Sequence, residues 1–380
     1  MSEQVLYRKY RPRDFSEVVG QEQVTGAIKN AFKIGRVAHA YLFSGPRGVG
    51  KTSMARLIAK SLNCAAHPAG KAEVPCNACA SCAAFNEGRA SDVIEIDAAS
   101  NRGIDDIREL RDGVRFVPTQ GAYKTYIIDE VHQLTKEAFN ALLKTLEEPP
   151  SHAVFILATT DPEKVPATII SRTQHYQFRR PRAEEIANRL SVVAKKDGVV
   201  LEPDAGRLIA FAAEGSFRDA ESILGQVMAV QDKKITRAEA EEILGLPKRE
   251  AAKQMFTLIA QKKSAEALAL IQELSEAGYD LAYFGKLLMQ YFRAALFLKT
   301  DANLKQFVIS EMLADEYECI VANLPSFTAQ ELAAGVNIIF DNLQRFRKTP
   351  IPQLPLELAV IELIDGKKEN SGPAPAIRKD

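Results

Sequence analysis

The eight residues GPRGVGKT, at positions 45–52, constrain the fold more than any other stretch of the chain. They match G-x-x-x-x-G-K-[ST], in which backbone N–H groups wrap phosphates, the lysine neutralises phosphate oxygens and the hydroxyl binds Mg²⁺. The motif requires a strand before it and a helix after it. The apolar run at 40–43 and the helix-spaced residues 54–62 satisfy both conditions. We therefore expect a nucleotide to contact Gly45, Pro46, Arg47, Gly48, Val49, Gly50, Lys51, Thr52 and Ser53.

Short apolar runs alternate with helix-period segments over the first 180 residues. The runs lie at 40–43, 93–96, 125–129 and 153–160, and they are compact and partly continuous. Parallel strands covered on both faces have this character, and their alternation with helices is typical of a doubly wound α/β domain. After residue 183 the strand signals almost disappear and helical spacing dominates.

The change in pattern predicts the domain organisation. A chain of 380 residues exceeds one ordinary core, since about 150 residues per domain is usual. We predict an α/β domain at 1–178, a small helical domain at 179–243 and a second helical domain at 244–366. The remaining segment, 367–380, is polar and contains Pro and Gly, which predicts disorder.

Charge and hydropathy exclude some classes of protein. Lys plus Arg and Asp plus Glu number 49 each, so net charge indicates no polyanionic partner, although a local basic surface is compatible with that total. No apolar stretch approaches the roughly 20 residues needed to span a bilayer, so we expect no membrane segment. The polar N-terminus lacks a signal peptide's apolar region, which predicts a cytoplasmic protein.

An acidic pair ends the apolar strand at 125–129. Asp129 is expected to hold Mg²⁺ through its coordination shell, and Glu130 to polarise or orient an attacking water. Thr160 ends the next strand, where it can reach that water or a γ-phosphate. Arg172 and Arg218 follow in SRT and GSFRDAES. Taken alone, each of these last three has a plainer interpretation: a strand-end threonine, a solvated arginine and a helix-terminus charge.

Four of the five cysteines lie in one short segment, in the spacing C-x11-C-x2-C-x2-C. Two overlapping CxxC steps and a thiolate at a helix end suit tetrahedral Zn²⁺, while an iron–sulfur cluster and free or redox thiols are alternatives. His67 can replace one ligand, but the all-cysteine set is simpler. Four cysteines leave no open position, and about 15 Å of helix separates them from Thr52, so the site is predicted to be structural. The predicted module covers 64–82, with ligands Cys64, Cys76, Cys79 and Cys82.

These motifs occur in an order that resembles the AAA+ ATPases, and most closely the γ/τ subunit family of the bacterial DNA polymerase III clamp loader. The matching stretches run through about residues 7–225 and include RPRDFSEVVGQEQV, HAYLFSGPRGVGKTS, VIEIDAASNRGIDDIR, YIIDEVHQLTKEAFNALLKTLEEPP, FILATTDPEKVPATIISR and AAEGSFRDAESIL. The resemblance implies a P-loop ATPase domain with an inserted zinc module, followed by a helical lid and a helical collar.

The resemblance also assigns roles to residues. Lys51 and Thr52 bind phosphate and Mg²⁺, Asp129 and Glu130 form the Walker B pair, Thr160 is sensor 1, and Arg218 is sensor 2 acting in cis. Arg172 falls on the arginine finger that completes a neighbouring subunit's site, although Thr173 replaces the cysteine usual after it. The residues expected to flank adenine and ribose are Tyr10, Arg11, Pro12, Val18 and Val19.

The function implied is that of an ATP-hydrolysing motor subunit, which opens a sliding clamp and loads it onto primed DNA. Its cofactors are then ATP, Mg²⁺ and Zn²⁺, and its partners are the δ, δ′ and further γ/τ subunits, the clamp and primed template DNA. Arg102, Lys144 and Lys164 are candidates for contacts to the DNA backbone. Two alternatives remain: another AAA+ machine such as a branch-migration helicase, and a non-hydrolysing arm of the same assembly.

Overall fold

A computed structural model describes residues 4–67, 74–230, 233–312, 314–346 and 348–366. The predicted tail at 367–380 and residues 68–73 of the predicted zinc module lie outside these ranges. Contacts divide the chain into two units, residues 1–240 and 241–380. In the described part of the chain, every helix is too short or too polar to cross a lipid bilayer.

A five-stranded parallel sheet forms the centre of the first unit. Its strands are β1 (Ala40–Ser44), β2 (Val93–Asp97), β3 (Lys124–Asp129), β4 (Ala153–Thr159) and β5 (Gln174–Gln177), in the spatial order β2-β3-β4-β1-β5. The order places the carboxyl ends of β1, β3 and β4 side by side. Ligands of open α/β sheets bind beyond these ends, so the topology positions the site.

Helices cover both faces of this sheet. The short α1 (Leu6–Lys9), which buries no residue, precedes them; they are α2 (Glu22–Lys33), α3 (Lys51–Leu62), α4 (Ala80–Asn86), α5 (Ile104–Val114), α6 (Lys136–Glu147) and α7 (Ala167–Ile170). Alternate residues of the strands enter two cores. Leu42, Ile128 and Phe155 pack with α5 and α6, whereas Tyr41, Ile127 and Ile156 pack with α2 and α3. Burial on both faces explains the continuous apolar runs of the central strands.

The sequence pattern did not predict β5. Its residues, QHYQ, are mostly exposed, because this strand lies at the sheet edge and β1 is its one neighbour among the described strands. An edge strand with one covered face does not need an apolar run, so hydrophobic periodicity misses it.

The remainder of the first unit is mainly helical. It contains α8 (Ala183–Lys196), α9 (Pro203–Ala212) and α10 (Phe217–Met228), and α11 (Arg237–Ile243) follows them. Two short strands, β6 (Val200–Leu201) and β7 (Lys234–Ile235), form a parallel pair. Ser216 caps α10, since its hydroxyl accepts a hydrogen bond from the Asp219 N–H at 3.2 Å.

The second unit is helical throughout its described residues. Its helices are α12 (Arg249–Ala260), α13 (Ser264–Glu276), α14 (Leu281–Thr300), α15 (Lys305–Glu311), α16 (Ala314–Asn323), α17 (Ala329–Leu343) and α18 (Leu354–Asp365). A capping box starts α17: the Thr328 N–H donates to the Glu331 carboxylate at 2.7 Å, and the Glu331 N–H donates to the Thr328 hydroxyl at 3.1 Å.

Candidate functional site

The phosphate loop connects β1 to α3, and its glycines permit a path that a side chain would block. A Cβ on Gly45 would overlap the Phe178 carbonyl, and a Cβ on Gly48 would overlap the Ser216 hydroxyl. Gly50 has φ +102° and stands immediately before α3. Only glycine adopts these positive φ values without strain while the backbone approaches so closely.

Lys51 is buried inside this loop, with 5% of its surface exposed. Its ammonium donates hydrogen bonds to the carbonyl oxygens of Gly45 and Pro46, each at 2.7 Å. Burial lowers the pKa of Lys51, while the charges of Glu130 and Asp129 act in the opposite direction. The loop therefore holds a cation at its centre. Phosphate oxygens can replace the two carbonyl oxygens as hydrogen-bond acceptors of this ammonium.

Thr52 and Asp129 bring two oxygen groups together at the mouth of the loop. The Thr52 hydroxyl donates to Asp129 Oδ2 at 2.7 Å, and Asp129 Oδ1 accepts from the Glu130 N–H at 3.0 Å. A hydroxyl and a carboxylate are hard oxygen donors of the kind that Mg²⁺ prefers beside substrate phosphates. The donor set fits a magnesium ion at this position.

Glu130 follows β3 with φ 49°, a left-handed conformation that is uncommon outside glycine. Its carboxylate accepts a hydrogen bond from the Thr160 hydroxyl at 3.2 Å. His132 lies behind it: Nδ1 is 3.5 Å from Glu130 Oε2 and 2.9 Å from Thr159 Oγ1, and Nε2 is 3.2 Å from Asp161 Oδ2. Two side chains thus hold this carboxylate, and sequence patterns identified only Thr160.

One cavity collects most of the predicted nucleotide residues. The predicted residues that line it are Arg11, Pro12, Val18, Val19, Arg47, Gly48, Val49, Gly50, Lys51, Thr52, Ser53, Asp129, Glu130 and Arg218. Gly45, Pro46 and Thr160 are outside this lining but hydrogen-bond to residues in it. Six lining residues were missed by sequence reasoning: Tyr7, Arg8, Glu17, Arg189, Phe217 and Glu221.

Tyr10 does not line the cavity. Its hydroxyl bonds to the Asp197 carboxylate and its carbonyl accepts from Arg189, so it joins the N-terminal segment to α8 and the turn after it. Burial, with a further contribution from Asp197, raises the pKa of Tyr10. Tyr7, one turn earlier, takes the place at the cavity that had been expected of Tyr10.

The helices α8 and α10 also contribute to the cavity lining, α8 through Arg189 and α10 through Phe217, Arg218 and Glu221. The Arg218 guanidinium lies over the Tyr7 ring, 5.0 Å from its centroid, and the Phe217 N–H donates to the Gly48 carbonyl at 3.0 Å. Arg189 and Glu221 form an ion pair at 2.9 Å with both side chains nearly buried. Burial raises the pKa of Glu221, and Arg189 opposes this shift.

Arg172 lies outside the cavity lining. Its guanidinium donates to the Glu147 carboxylate at 2.7 Å and to the Thr168 carbonyl at 2.9 Å. The three residues nominated for DNA contacts are exposed: Arg102 donates to the Ala99 carbonyl at 2.9 Å, Lys164 lies 3.4 Å from Asp161, and Lys144 is on α6.

The four clustered cysteines converge at the end of α3. The sulfur atoms of Cys64, Cys76, Cys79 and Cys82 all lie within 4.8 Å of one another. The Cys76 N–H points to the Cys64 sulfur at 3.3 Å, and the Cys82 N–H to the Cys79 sulfur at 3.5 Å. Such N–H···S contacts favour the thiolate form of cysteine. Four thiolates at these positions fit a tetrahedral Zn²⁺.

The pKa values of these thiols are strongly perturbed. Hydrogen bonds from the backbone of Ala78 and Cys79 lower the pKa of Cys76 to about 6, whereas burial raises that of Cys82. His67 is separate from the group and packs at an angle against Phe32, with ring centroids 5.2 Å apart. Burial lowers its pKa. The all-cysteine ligand set is therefore the arrangement that the described residues bring together.

Comparisons with known proteins identify relatives over the whole chain. Residues 20–182 match a family described as DNA polymerase III, delta subunit. Residues 185–233 match the DNA polymerase III clamp loader subunit, ATPase lid domain. Residues 235–375 match DNA polymerase III subunits gamma and tau domain III.

Individual relatives agree with these families. DNA polymerase III subunit gamma of Buchnera aphidicola is 38% identical over 87% of this chain and 90% of its own length. DNA polymerase III subunit tau of Bacillus subtilis is 40% identical over 99% of this chain, and that of Escherichia coli is 45% identical over 74%. The chain spans only 66% and 43% of those two tau subunits.

A solved structure of the Thermotoga maritima RuvB Holliday junction branch migration motor gives a TM-score of 0.47 at 20% identity, covering 66% of this chain and 78% of its own. The match to the Buchnera subunit extends over nearly all of both proteins, and the family models agree with it from residue 20 to 375. The chain belongs to the gamma/tau family of bacterial DNA polymerase III clamp-loader subunits.

Proposed function

We propose that this chain is an ATP-hydrolysing motor subunit of a clamp loader, which opens a sliding clamp and loads it onto primed DNA. One observation carries the proposal: Lys51, Thr52, Asp129 and Glu130 meet at one cavity. A non-hydrolysing arm of the same assembly does not need a lysine, a hydroxyl and two acids in this arrangement. Their presence together favours the motor over the arm.

The residues divide the work of phosphoryl transfer among themselves. The loop N–H groups and Lys51 bind the phosphates, and Thr52 and Asp129 would hold Mg²⁺, which would supply positive charge beside the phosphates. Glu130 orients the attacking water, while Thr160 and His132 fix the carboxylate of Glu130. Arg218 contributes positive charge from α10 in the same chain.

Arg172 is proposed to act on a neighbouring subunit. It is absent from the lining of its own cavity, and its guanidinium is held beside α7 by the Glu147 carboxylate and the Thr168 carbonyl. An arginine supplied in trans can accelerate phosphoryl transfer by roughly 10³–10⁵. Hydrolysis then depends on assembly with the partners proposed for the family: δ, δ′ and further γ/τ subunits.

The cysteine centre is proposed to bind structural Zn²⁺. Four thiolates fill a tetrahedral shell and leave no position for substrate. The 12 residues of α3 separate Lys51 from this end, about 18 Å at 1.5 Å per residue. The metal therefore stabilises the insertion and does not act on the nucleotide.

The remaining parts of the proposal concern organisation. We propose the boundaries 1–178, 179–243 and 244–366 for the ATPase, lid and collar domains, and a cytoplasmic location. Primed DNA is expected to contact Arg102, Lys144 and Lys164 through its phosphates, so binding weakens as salt rises.

The test compares the wild-type chain with Glu130→Gln. Glutamine keeps the size of the side chain but cannot accept a proton or hold a negative charge beside the water. We expect ATP binding with Mg²⁺ to be retained and hydrolysis to fall by at least about 100-fold. Calorimetry measures binding and phosphate release measures hydrolysis. Equal hydrolysis by both proteins, or no binding of ATP by either, would contradict the proposal.

A further inference from the structure

A second cleft lies beside the nucleotide cavity, between the N-terminal segment, α3 and α4. Six cationic side chains line it: Arg8, Lys9, Arg11, Arg13, Arg56 and Lys60. Glu95 is the one acidic residue in its lining among the described residues. We call this surface the basic cleft. Such an excess of one sign in a concave site concentrates counter-ions.

Among the described residues, four of these six cations have no carboxylate partner. Lys9 pairs with Asp197 and Arg56 with Glu95. Lys60 is 2% exposed, and its ammonium contacts neutral oxygens of Arg13, Asn77 and Asn86. In the described part of the chain, the guanidinium groups of Arg8, Arg11 and Arg13 form no ion pair.

Arg11 experiences the crowding most directly. It is half-buried, and burial is the main cause that lowers its pKa. The positive charges of Arg56, Arg8 and Arg218 lower the pKa further, whereas Glu95 raises it. Like charges that line one cleft repel one another, which raises the energy of the empty site. An anion bound among them removes that repulsion.

Arginine suits phosphate in particular, because its planar fork donates two parallel hydrogen bonds to two oxygens. Several arginines that converge on one cleft match an anion with more than one phosphate. We propose that the basic cleft is a second anion site, distinct from the nucleotide cavity, that binds a compact ligand of the diphosphate class.

The two sites are joined by shared residues. Arg8 and Arg11 line both the basic cleft and the nucleotide cavity, whereas Arg13 and Arg56 line only the cleft. A ligand in the cleft competes with the nucleotide for two guanidiniums. Occupation of either site should therefore weaken binding at the other.

The probe is inorganic pyrophosphate, titrated calorimetrically into the full chain saturated with a non-hydrolysable ATP analogue and Mg²⁺. A parallel titration uses Lys51→Ala without nucleotide, so that the result does not depend on the proposed ATPase function. We expect one pyrophosphate per chain in both cases, bound more weakly when the ATP analogue occupies the nucleotide cavity. Arg13→Gln and Arg56→Gln should each weaken pyrophosphate binding at least tenfold and leave the affinity for the ATP analogue unchanged.

Arg36→Gln is the matched control, since Arg36 is exposed and outside both linings. It should bind pyrophosphate like the wild type. Three results would overturn the proposal: no pyrophosphate bound in either titration, equal affinity in the Arg13 and Arg56 variants, or binding of a single-stranded oligonucleotide in place of pyrophosphate through those two arginines.

Discussion

Two neighbours restrain the carboxylate of Glu130, one after the end of β4 and one after the end of β3. Thr160 follows β4 and donates to it at 3.2 Å, while the imidazole of His132 lies 3.5 Å away with 4% of its side chain exposed. His132 is itself fixed between Thr159 and Asp161. A buried ring with contacts on both nitrogens is suited to positioning the carboxylate, not to proton transfer with solvent.

Replacement of His132 by alanine tests this role. The carboxylate of Glu130 loses one restraint and samples orientations in which the water is misaligned, so we expect kcat for ATP hydrolysis to fall roughly ten- to a hundred-fold. KM for ATP should stay constant, because His132 does not line the cavity. Steady-state kinetics separate the two constants. An unchanged kcat, or a higher KM alone, would refute the positioning role. His39→Ala, at an exposed position, is the control.

Sequence reasoning identified cavity residues where the motif is local. Lys51 and Thr52 follow from spacing within one loop, and Asp129 from its position after an apolar strand. Tyr7 and Glu221 could not be found in this way, since Glu221 reaches the cavity only when α10 folds back over the loop. Arg189, its ion-pair partner, belongs to α8, and no pattern links residues 32 apart.

At the scale of elements, the start of α8 depends on a single carboxylate. Glu185 accepts hydrogen bonds from Arg179 at 2.9 and 2.6 Å and from the Arg182 N–H at 2.8 Å. Arg179 is the main cause that lowers the pKa of Glu185 to about 2, from an ordinary value of 4.5. Glu185 therefore connects the segment after β5 to the helix that carries Arg189.

Glu185→Gln should destabilise the chain by about 1 kcal/mol at neutral pH, since the ion pair with Arg179 is lost while the amide oxygen can still accept from the Arg182 N–H. The folded pKa is below the unfolded one, so the stabilisation is present above pH 4.5 and disappears as pH falls toward 2. Denaturant unfolding of both proteins across this range measures the difference. Glu184→Gln, at the exposed neighbouring position, should show none. A difference between wild type and Glu185→Gln that is constant with pH would contradict the account.

The cysteine centre is the element-scale feature with the clearest sequence signal, because two CxxC steps place three thiols in one turn. The structure adds Lys60, whose ammonium reaches Asn77 between two ligands and Asn86 on α4. The insertion is thus attached to α3 at two points, through Cys64 and through Lys60.

Loss of one ligand should release the metal and loosen this attachment. We expect protein purified without chelators to contain one Zn²⁺ per chain, and Cys82→Ser to contain much less. The free energy of unfolding should fall by at least about 2 kcal/mol, since bound metal stabilises only the folded state. Cys319→Ser, outside the cluster, controls for loss of a thiol. Elemental analysis and denaturant unfolding are the measurements. Wild-type protein with substoichiometric zinc would exclude a structural zinc site.

At the scale of the whole molecule, alternation of strands and helices predicted the α/β fold, because β1 to β4 are apolar over most of their length. It did not predict β5, and net charge did not reveal the basic cleft. The 49 cations and 49 anions balance in total, yet six cations share one surface in the first unit. Such a distribution depends on tertiary structure, which brings residues 8–13 next to residues 56–60.

Hydrolysis is proposed to depend on neighbouring subunits, because Arg172 lies outside the cavity of its own chain. The most direct test is the ATPase rate of the assembled complex with sliding clamp and primed DNA, for the wild type and for Arg172→Ala. We predict stimulation of the wild type by clamp and DNA. The variant should bind ATP normally, and its ATPase rate with clamp and DNA should be lower than that of the wild type by about 10³-fold or more. An unstimulated wild type, or equal turnover by the variant, would contradict the central claim.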